Sequence, residues 1–330
     1  MPRNPWYDPA KSHHTRSGFR NPPGSPTRPP ISAEIAREAA HFAGELMRLA
    51  GDYPFSPDHT LTEAQALSGY HELAGQDKIL WLGHASFLIQ LGGVTFITDP
   101  YLTDYASPVP SPSTKRLVPA AIAINRLPRV DYILVSHNHY DHLDTKALTR
   151  LAQRFDDAQV VVPLGLMPLL QRQGFTKVVE LDWYDEQRWE QYRITALPAV
   201  HMSRRGLFDL NRTLWCGFAL ECNGKRIYFA GDTAYGPVFK EIGQRVGGFD
   251  LGLVPIGAYQ PRSLMSSVHT TPEEAVLIGE DIGADQLVAM HWGTIRLTTE
   301  PMLEPKERFL AASSDIPRHV LRIGETLALG

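Results

Sequence analysis

Three histidines and an aspartate fall within six residues at His137, His139, Asp141 and His142, inside the run Ser136-His137-Asn138-His139-Tyr140-Asp141-His142. Imidazole nitrogens and carboxylate oxygens are the donors that zinc and other hard or borderline divalent ions take. Both residue types are poor core residues, so packing does not account for so dense a group. The segment opens on the apolar run 132–135 and closes on Asp144, the expected cap of a helix carrying Leu148, Leu151 and Phe155. His137 and His139, two apart in extended chain, point to one side. Asp141 and His142 follow once the chain turns, and can face a second ion.

One segment cannot complete two coordination spheres. The remaining ligands are expected where other apolar runs stop: His201 after 194–200, Asp232 in Phe229-Ala230-Gly231-Asp232-Thr233, and His291 after 287–290. Strand ends of this kind are where α/β sites assemble. Singly, His201 and His291 also read as strand-end histidines and Asp232 as a turn or helix cap; together with the cluster they read as ligands. His13, His14, His41, His59, His71 and His319 have no partner in motif spacing and read as surface residues. There is no Gly-x-Ser-x-Gly elbow to suggest a serine nucleophile.

Rigid elements must carry these residues. Ser32 caps a helix with Ile35, Ala39, Phe42 and Leu46 on one face, stopped by Gly51 and Pro54. Apolar runs at 79–82, 87–91 and 94–98 read as strands, the last two joined by a Gly92-Gly93 turn. Further strands are expected at 132–135, 160–162, 178–181, 194–197, 214–221, 225–230, 251–254 and 286–290, the 214–230 pair turning at Asn223-Gly224. Helices are expected at 164–173, from Pro237, and from Thr271-Pro272-Glu273-Glu274. The alternation predicts an α/β fold with two mixed sheets and helices outside. No internal sequence repeat relates the two halves.

The pattern His137-x-His139-x-Asp141-His142, then a lone His, a Gly-Asp-Thr and a final His, resembles the metallo-β-lactamase fold superfamily. Other words narrow it: Trp81-Leu82-Gly83-His84-Ala85-Ser86, Thr98-Asp99-Pro100, Glu180-Leu181-Asp182-Trp183, Pro255-Ile256-Gly257-Ala258-Tyr259 and His291-Trp292-Gly293-Thr294. They resemble the N-acyl-phosphatidylethanolamine-hydrolysing phospholipase D branch with its bacterial relatives, over residues 80–310. The resemblance implies a four-layer αββα sandwich and a di-zinc phosphodiesterase. His137, His139 and His201 would bind one zinc; Asp141, His142 and His291 the other; Asp232 would bridge them. Asp99 would orient a ligand imidazole, although it also reads as a strand-end turn before Pro100. His269 matches a histidine near the substrate phosphate, or is an exposed loop histidine before the Thr271 cap. Val268 stands where the mammalian form is expected to carry Gln, so no hydrogen bond from that side chain is implied. His84 recurs with its word and can be structural.

Two ions about 3.5 to 4 Å apart lower the pKa of a shared water and supply a bridging hydroxide as nucleophile. Asp232, Asp141 and His269 are then the catalytic candidates, and a phosphodiester or phospholipid the substrate. The metal motif alone also fits a lactonase, a cyclic phosphodiesterase, an amide-bond hydrolase or a non-catalytic metal-binding protein. A net charge of −4 and a pI near 6.4 argue against a nucleic-acid partner.

The first thirty residues hold eight prolines, which suit an extended arm (1–31) ahead of a hydrolase domain (32–330). The arm reads equally as a disordered tail or as one laid across the domain or a partner subunit of a homodimer. Leu207-Phe208-Asp209-Leu210, the Met265 loop and Trp6-Tyr7 could offer a lipid an apolar approach. No apolar run follows Met1-Pro2-Arg3-Asn4-Pro5-Trp6, so the chain is expected to be cytoplasmic, with peripheral membrane contact left open. Cys216 and Cys222, roughly 20 Å apart on one strand at about 3.3 Å per residue, could not bridge each other.

Overall fold

The computed structural model of the chain describes residues 4–30, 32–51, 53, 55, 57–189 and 191–330. Pro54, expected in a helix stop, and residues 1–3 and 31 of the expected arm lie outside the described residues. In chain order, a small hairpin of β1 (His14–Thr15) and β2 (Gly18–Phe19) precedes helix α1 (Ala33–Arg48). The Ser32 hydroxyl caps α1, accepting from the Ile35 N–H at 3.1 Å. Helix α2 (Glu63–Glu72) begins at a Thr62–Gln65 capping box.

The apolar runs then become β3 (Lys78–Gly83), β4 (Ser86–Leu91), β5 (Val94–Thr98) and β6 (Tyr132–Leu134). Helix α3 (Thr145–Arg154), β7 (Gln159–Pro163), α4 (Met167–Arg172) and β8 (Val178–Leu181) follow. A second series runs through β9 (Glu186–Trp189), β10 (Tyr192–Leu197), β11 (Gly217–Cys222), β12 (Lys225–Phe229), α5 (Val238–Val246) and β13 (Leu251–Pro255). It ends with α6 (Arg262–Met265), α7 (Pro272–Ile282), β14 (Leu287–Met290), α8 (Glu304–Ala311) and β15 (Arg318–His319), before β16 (Thr326–Ala328) returns to the first series.

These strands form two mixed seven-stranded sheets, ordered β16-β3-β4-β5-β6-β7-β8 and β9-β10-β11-β12-β13-β14-β15. Read in these directions, both sheets show the same series of pairings: three antiparallel, then three parallel. Parallel strands need crossovers, and the helices supply them outside the sheets, giving a four-layer αββα sandwich. Between the sheets, Tyr132 meets Trp189 with ring centroids 4.9 Å apart, and the Tyr192 hydroxyl donates to the Gly92 carbonyl at 2.9 Å. The strand expected at 214–221 starts only at Gly217, and the helix expected at 164–173 spans Met167–Arg172. Polar or very short β9, β15 and β16 carried no apolar alternation to reveal them. Cys216 and Cys222 are both buried and unbridged.

The chain ahead of α1 packs against the link between β8 and β9. There the Asp182 carboxylate receives Lys11 Nζ, His13 Nε2 at 2.7 Å and His14 Nε2 at 2.9 Å. Burial opposes charge on Asp182, but His13 and Lys11 outweigh it and hold its carboxyl well below the usual range. His13 and His14 are therefore buried, as is His59, whose Nε2 meets the Gly293 carbonyl at 2.7 Å. The sequence placed all three at the surface because their partners lie far along the chain; Asp182 is 169 residues from His13.

Asp144 shows how the fold is tied to the site. Its Oδ1 accepts from the Lys146 and Ala147 N–H groups at 3.0 Å, capping α3, and its Oδ2 accepts from the Thr103 N–H at 2.9 Å. Asp144→Ala is expected to cost about 2 kcal/mol and lower the melting temperature by several degrees. Asp144→Asn, which keeps an oxygen acceptor, should lose less in the same thermal scan. Equal melting of both variants with the parent would contradict this capping role.

Candidate metal centre

The corners where strands stop face one another across the two sheets. In the parallel pair β5–β6, Thr98 lies opposite Leu134, so Asp99 and the Ser136–His142 segment leave from one edge. In β13–β14, Pro255 lies opposite Met290, bringing His291 out beside Gly257 and Ala258. Four non-glycine residues at these corners hold positive φ: His84 at 56°, Asp99 at 32°, Ala258 at 65° and His291 at 60°. Such backbone is costly and persists where the surroundings over-determine it. Gly231, at φ 60°, lets the Asp232 loop pass the cluster strand; a Cβ there would lie 2.7 Å from the Ser136 Cβ.

Two sets of donors result. In the first, His139 Nδ1 lies 2.8 Å from His137 Nε2 and 3.2 Å from His201 Nε2, and Asp232 Oδ2 lies 3.8 and 3.6 Å from His137 Nε2 and His201 Nε2. In the second, Asp141 Oδ2 lies 3.5 Å from His142 Nε2 and 3.6 Å from His291 Nε2. Asp232 joins the sets: its Oδ2 is 3.1 Å from His142 Nε2 and its Oδ1 is 3.1 Å from His291 Nε2. All seven side chains are mostly or fully buried. His142 Nε2, His291 Nε2 and Asp232 Oδ1 have no hydrogen-bond partner. Converging buried donors with unfilled lone pairs are the arrangement a divalent ion satisfies, so this donor set fits two ions.

Proton positions follow from the surrounding acceptors. Asp99 Oδ1 accepts from the Ser136 N–H at 2.7 Å, and its Oδ2 accepts from the Ser136 hydroxyl and from His142 Nδ1–H, both at 2.6 Å. The Ser136 hydroxyl proton is thus spent on Asp99, so its oxygen accepts from His137 Nδ1–H at 2.9 Å. His201 Nδ1–H donates to the Val268 carbonyl at 2.8 Å. In each case the proton sits on Nδ1 and the inward Nε2 presents its lone pair.

The electrostatics divide the rings. Burial holds His137 and His201 well below the ordinary histidine range and pulls His84 to about 3. For His142, burial is outweighed by Asp232, Asp141 and Asp99, which hold it well above that range. His291 stands at about 9, because Asp232 and Asp141 outweigh its burial. The field around these two rings favours positive charge.

All seven expected ligands meet here, and Asp99 lies against His142. His269 is at the site, not out in an exposed loop: its ring centroid is 5.2 Å from His201 and 5.4 Å from His291, and its buried Nδ1 is unpartnered. Burial lowers its pKa to about 4, so it is neutral. Two contributors were missed. His84 donates from Nε2 to Asp141 Oδ2 at 2.9 Å, and its recurrence in the family word was the available signal. Asn21, on the amino-terminal arm, accepts at Oδ1 from the His201 N–H at 2.9 Å and from Trp215 Nε1–H at 3.1 Å. Nothing in the sequence linked it to a histidine 180 residues away.

Residues 95–292 match the model of the Beta-lactamase superfamily domain. The chain is similar to the N-acyl-phosphatidylethanolamine-hydrolyzing phospholipase D 1 of Caenorhabditis elegans, 41% identical over 239 residues, covering 69% of this chain and 67% of that protein. An uncharacterized protein of Mycobacterium tuberculosis is 39% identical over 256 residues, covering 76% and 67%. Among solved structures, a possible metal-dependent hydrolase from Veillonella parvula aligns with a TM-score of 0.64 at 17% identity, over 77% of this chain and 100% of that one; this likeness is one of fold.

Groups that orient a ligand without touching the ion commonly change metal affinity by roughly 10–100-fold. Asn21→Ala is expected to weaken the binding step that uses His201 by roughly tenfold, and Asp99→Asn, which braces His142 directly and His137 through Ser136, to weaken both steps, by up to roughly 100-fold, in chelator competition. Unchanged affinity in either variant would refute the positioning role assigned to that residue.

Proposed function

The chain belongs to the β-lactamase superfamily, and on that premise we propose that it is a di-zinc phosphodiesterase of phospholipase D type, acting on N-acyl-phosphatidylethanolamine or related diesters. The observation that carries this reading is the pair of buried donor sets sharing Asp232, in a chain 41% identical to a phospholipase D of that specificity.

In this reading His137, His139 and His201 would hold one ion and Asp141, His142 and His291 the other, with the Asp232 carboxylate shared between the two sets. When bound, the ions supply a water acidic enough to act as nucleophile and offset the charge on the phosphoryl oxygens. The chain's own groups do the rest. His84 keeps the Asp141 carboxylate turned inward through its 2.9 Å hydrogen bond. Neutral His269, with Nδ1 free and buried, hydrogen-bonds a substrate oxygen. Asp232, whose carboxylate oxygens face both donor sets, would accept a hydrogen bond from the attacking water. Attack of the water oxygen at phosphorus would form the new P–O bond as the P–O bond to the leaving alkoxide breaks, and the proton lost by the water ends on that alkoxide to give the alcohol.

A lipid substrate needs an apolar landing near the entrance. Leu207 and Phe208 are 79% and 90% exposed, on a loop tied to the histidine cluster through Arg204 N–H to Asn138 Oδ1 and Arg205 Nη1 to the Asn138 and Leu143 carbonyls. Trp6, by contrast, packs inward on Phe19, and Met265 is half-buried. Among the described residues no helix is long and apolar enough to cross a membrane. The loop therefore supports surface contact with a lipid.

Elemental analysis of the purified protein should find about two transition-metal ions per chain, and Asp232→Asn should lose at least roughly 100-fold in kcat on a chromogenic phosphodiester. A panel of that diester, a lactone and N-acyl-phosphatidylethanolamine vesicles should show turnover of the first and third. Metal-free protein, or full activity in Asp232→Asn, would refute the di-metal mechanism; turnover of the lactone alone would refute the substrate class. Leu207→Ser with Phe208→Ser should reduce vesicle co-sedimentation at least roughly tenfold, since full burial of even one such side chain is worth about 1.5–3 kcal/mol.

A further inference from the structure

Beyond Asn21, Pro22 and residues 24–28 run along the domain and, with Met202, Leu210, Ser267 and Val268, wall a cleft of about 430 Å3 that reaches His201. Three observations give this cleft a chemistry. Ser267 is 2% exposed and its hydroxyl has no hydrogen-bond partner. The hydroxyl of Ser25, another residue lining the cleft, is buried and unpartnered too. Buried hydroxyls are costly unless something supplies the missing bond.

Charge is the second observation. Arg20 and Arg28 line the cleft, and among the described residues no aspartate or glutamate does. The Arg28 guanidinium rests against the Met202 sulfur, and burial together with nearby Arg204 lowers its pKa from the ordinary arginine value. Asp209, in the adjoining loop, is already engaged by the Arg205 and Gly206 N–H groups.

The third is position. The cleft ends at His201, Ser267 and Val268, one residue before His269, so a group seated in it can be covalently continuous with a diester lying at the metal centre. A guanidinium fork with no carboxylate partner among the described residues, in a cleft lined by two serines whose hydroxyls lack partners, matches the oxygens of a carboxylate or a phosphate.

We propose that this arm-walled cleft binds a second anionic group of the substrate, a carboxylate or a phosphate monoester, with Arg28 as its counter-ion and Ser25 and Ser267 as its donors. This rests on the phosphodiesterase reading and adds a substrate class to it: diesters whose alcohol carries a further negative charge. The arm is then a specificity element as well as a support for His201.

The test uses the metal-loaded full chain and two matched pairs of soluble diesters. Glycerophosphoserine differs from glycerophosphoethanolamine by a carboxylate, and glycerophosphoinositol 4-phosphate from glycerophosphoinositol by a phosphate. KM for the more anionic member should be lower by about fivefold in at least one pair, the scale of a partly exposed ion pair. A preference in the first pair assigns a carboxylate, in the second a phosphate. Arg28→Gln should bring that ratio toward one, Arg28→Lys should retain part of it, and Ser267→Ala should reduce it. Equal KM within both pairs, or a ratio untouched by Arg28→Gln, overturns the subsite and leaves the phosphodiesterase standing. No hydrolysis of any of the four while the chromogenic diester is still turned over overturns the subsite alone; no hydrolysis of that diester either overturns both.

Discussion

The burial of the Asp232 carboxylate between two groups of imidazoles is the constraint around which the molecule is arranged. Donor atoms at the centre face other donors, with unpaired nitrogens and an unpaired carboxylate oxygen in a buried setting. Such an arrangement is expensive unless positive charge occupies its middle. The carboxylates around His142 and His291 outweigh burial and hold both rings above the ordinary histidine range, so the field at the centre favours positive charge. The arrangement is therefore a fixed electrostatic template, and the rest of the fold keeps it from relaxing.

Two devices prevent that relaxation. One is backbone: corners at His84, Asp99, Ala258 and His291 hold conformations that side chains disfavour, so direction is imposed by the sheets and not chosen by the loops. The other is a relay of acceptors behind the rings. Asp99 serves Ser136 and His142 at once, Ser136 serves His137, and the Val268 carbonyl serves His201. Each fixes a tautomer, so a misplaced proton on any of these rings would cost a buried hydrogen bond.

The legible part of the site was its chemistry and the illegible part its support. The ligands were readable because histidines and aspartates seldom gather at the ends of apolar runs for the sake of packing, and the run from His137 to His142 marked where to look. Strands with apolar alternation, such as β3 to β5 and the β11–β12 hairpin around Asn223-Gly224, were readable because burial on a sheet leaves its period in the chain. Asn21 and the clamp of Lys11, His13 and His14 on Asp182 were not, because each joins segments far apart in the chain and uses residue types common on surfaces. His269 stood open between two readings until the fold brought its ring beside His201.

The two sheets repeat one order of pairings, so β5 corresponds to β12 and β3 to β10. An acid follows each member of the first pair, Asp99 and Asp232, and a histidine follows each member of the second, His84 and His201. The halves thus present matching corners but divide the labour: the first half's acid and histidine brace their neighbours, and the second half's turn their atoms to the centre. The workplace belongs to the seam. Severed from its counterpart, the first half would keep its braced cluster but lose His201, Asp232 and His291, and the second would keep those three with no cluster to face, so the chemistry comes into being only when the two are closed on each other.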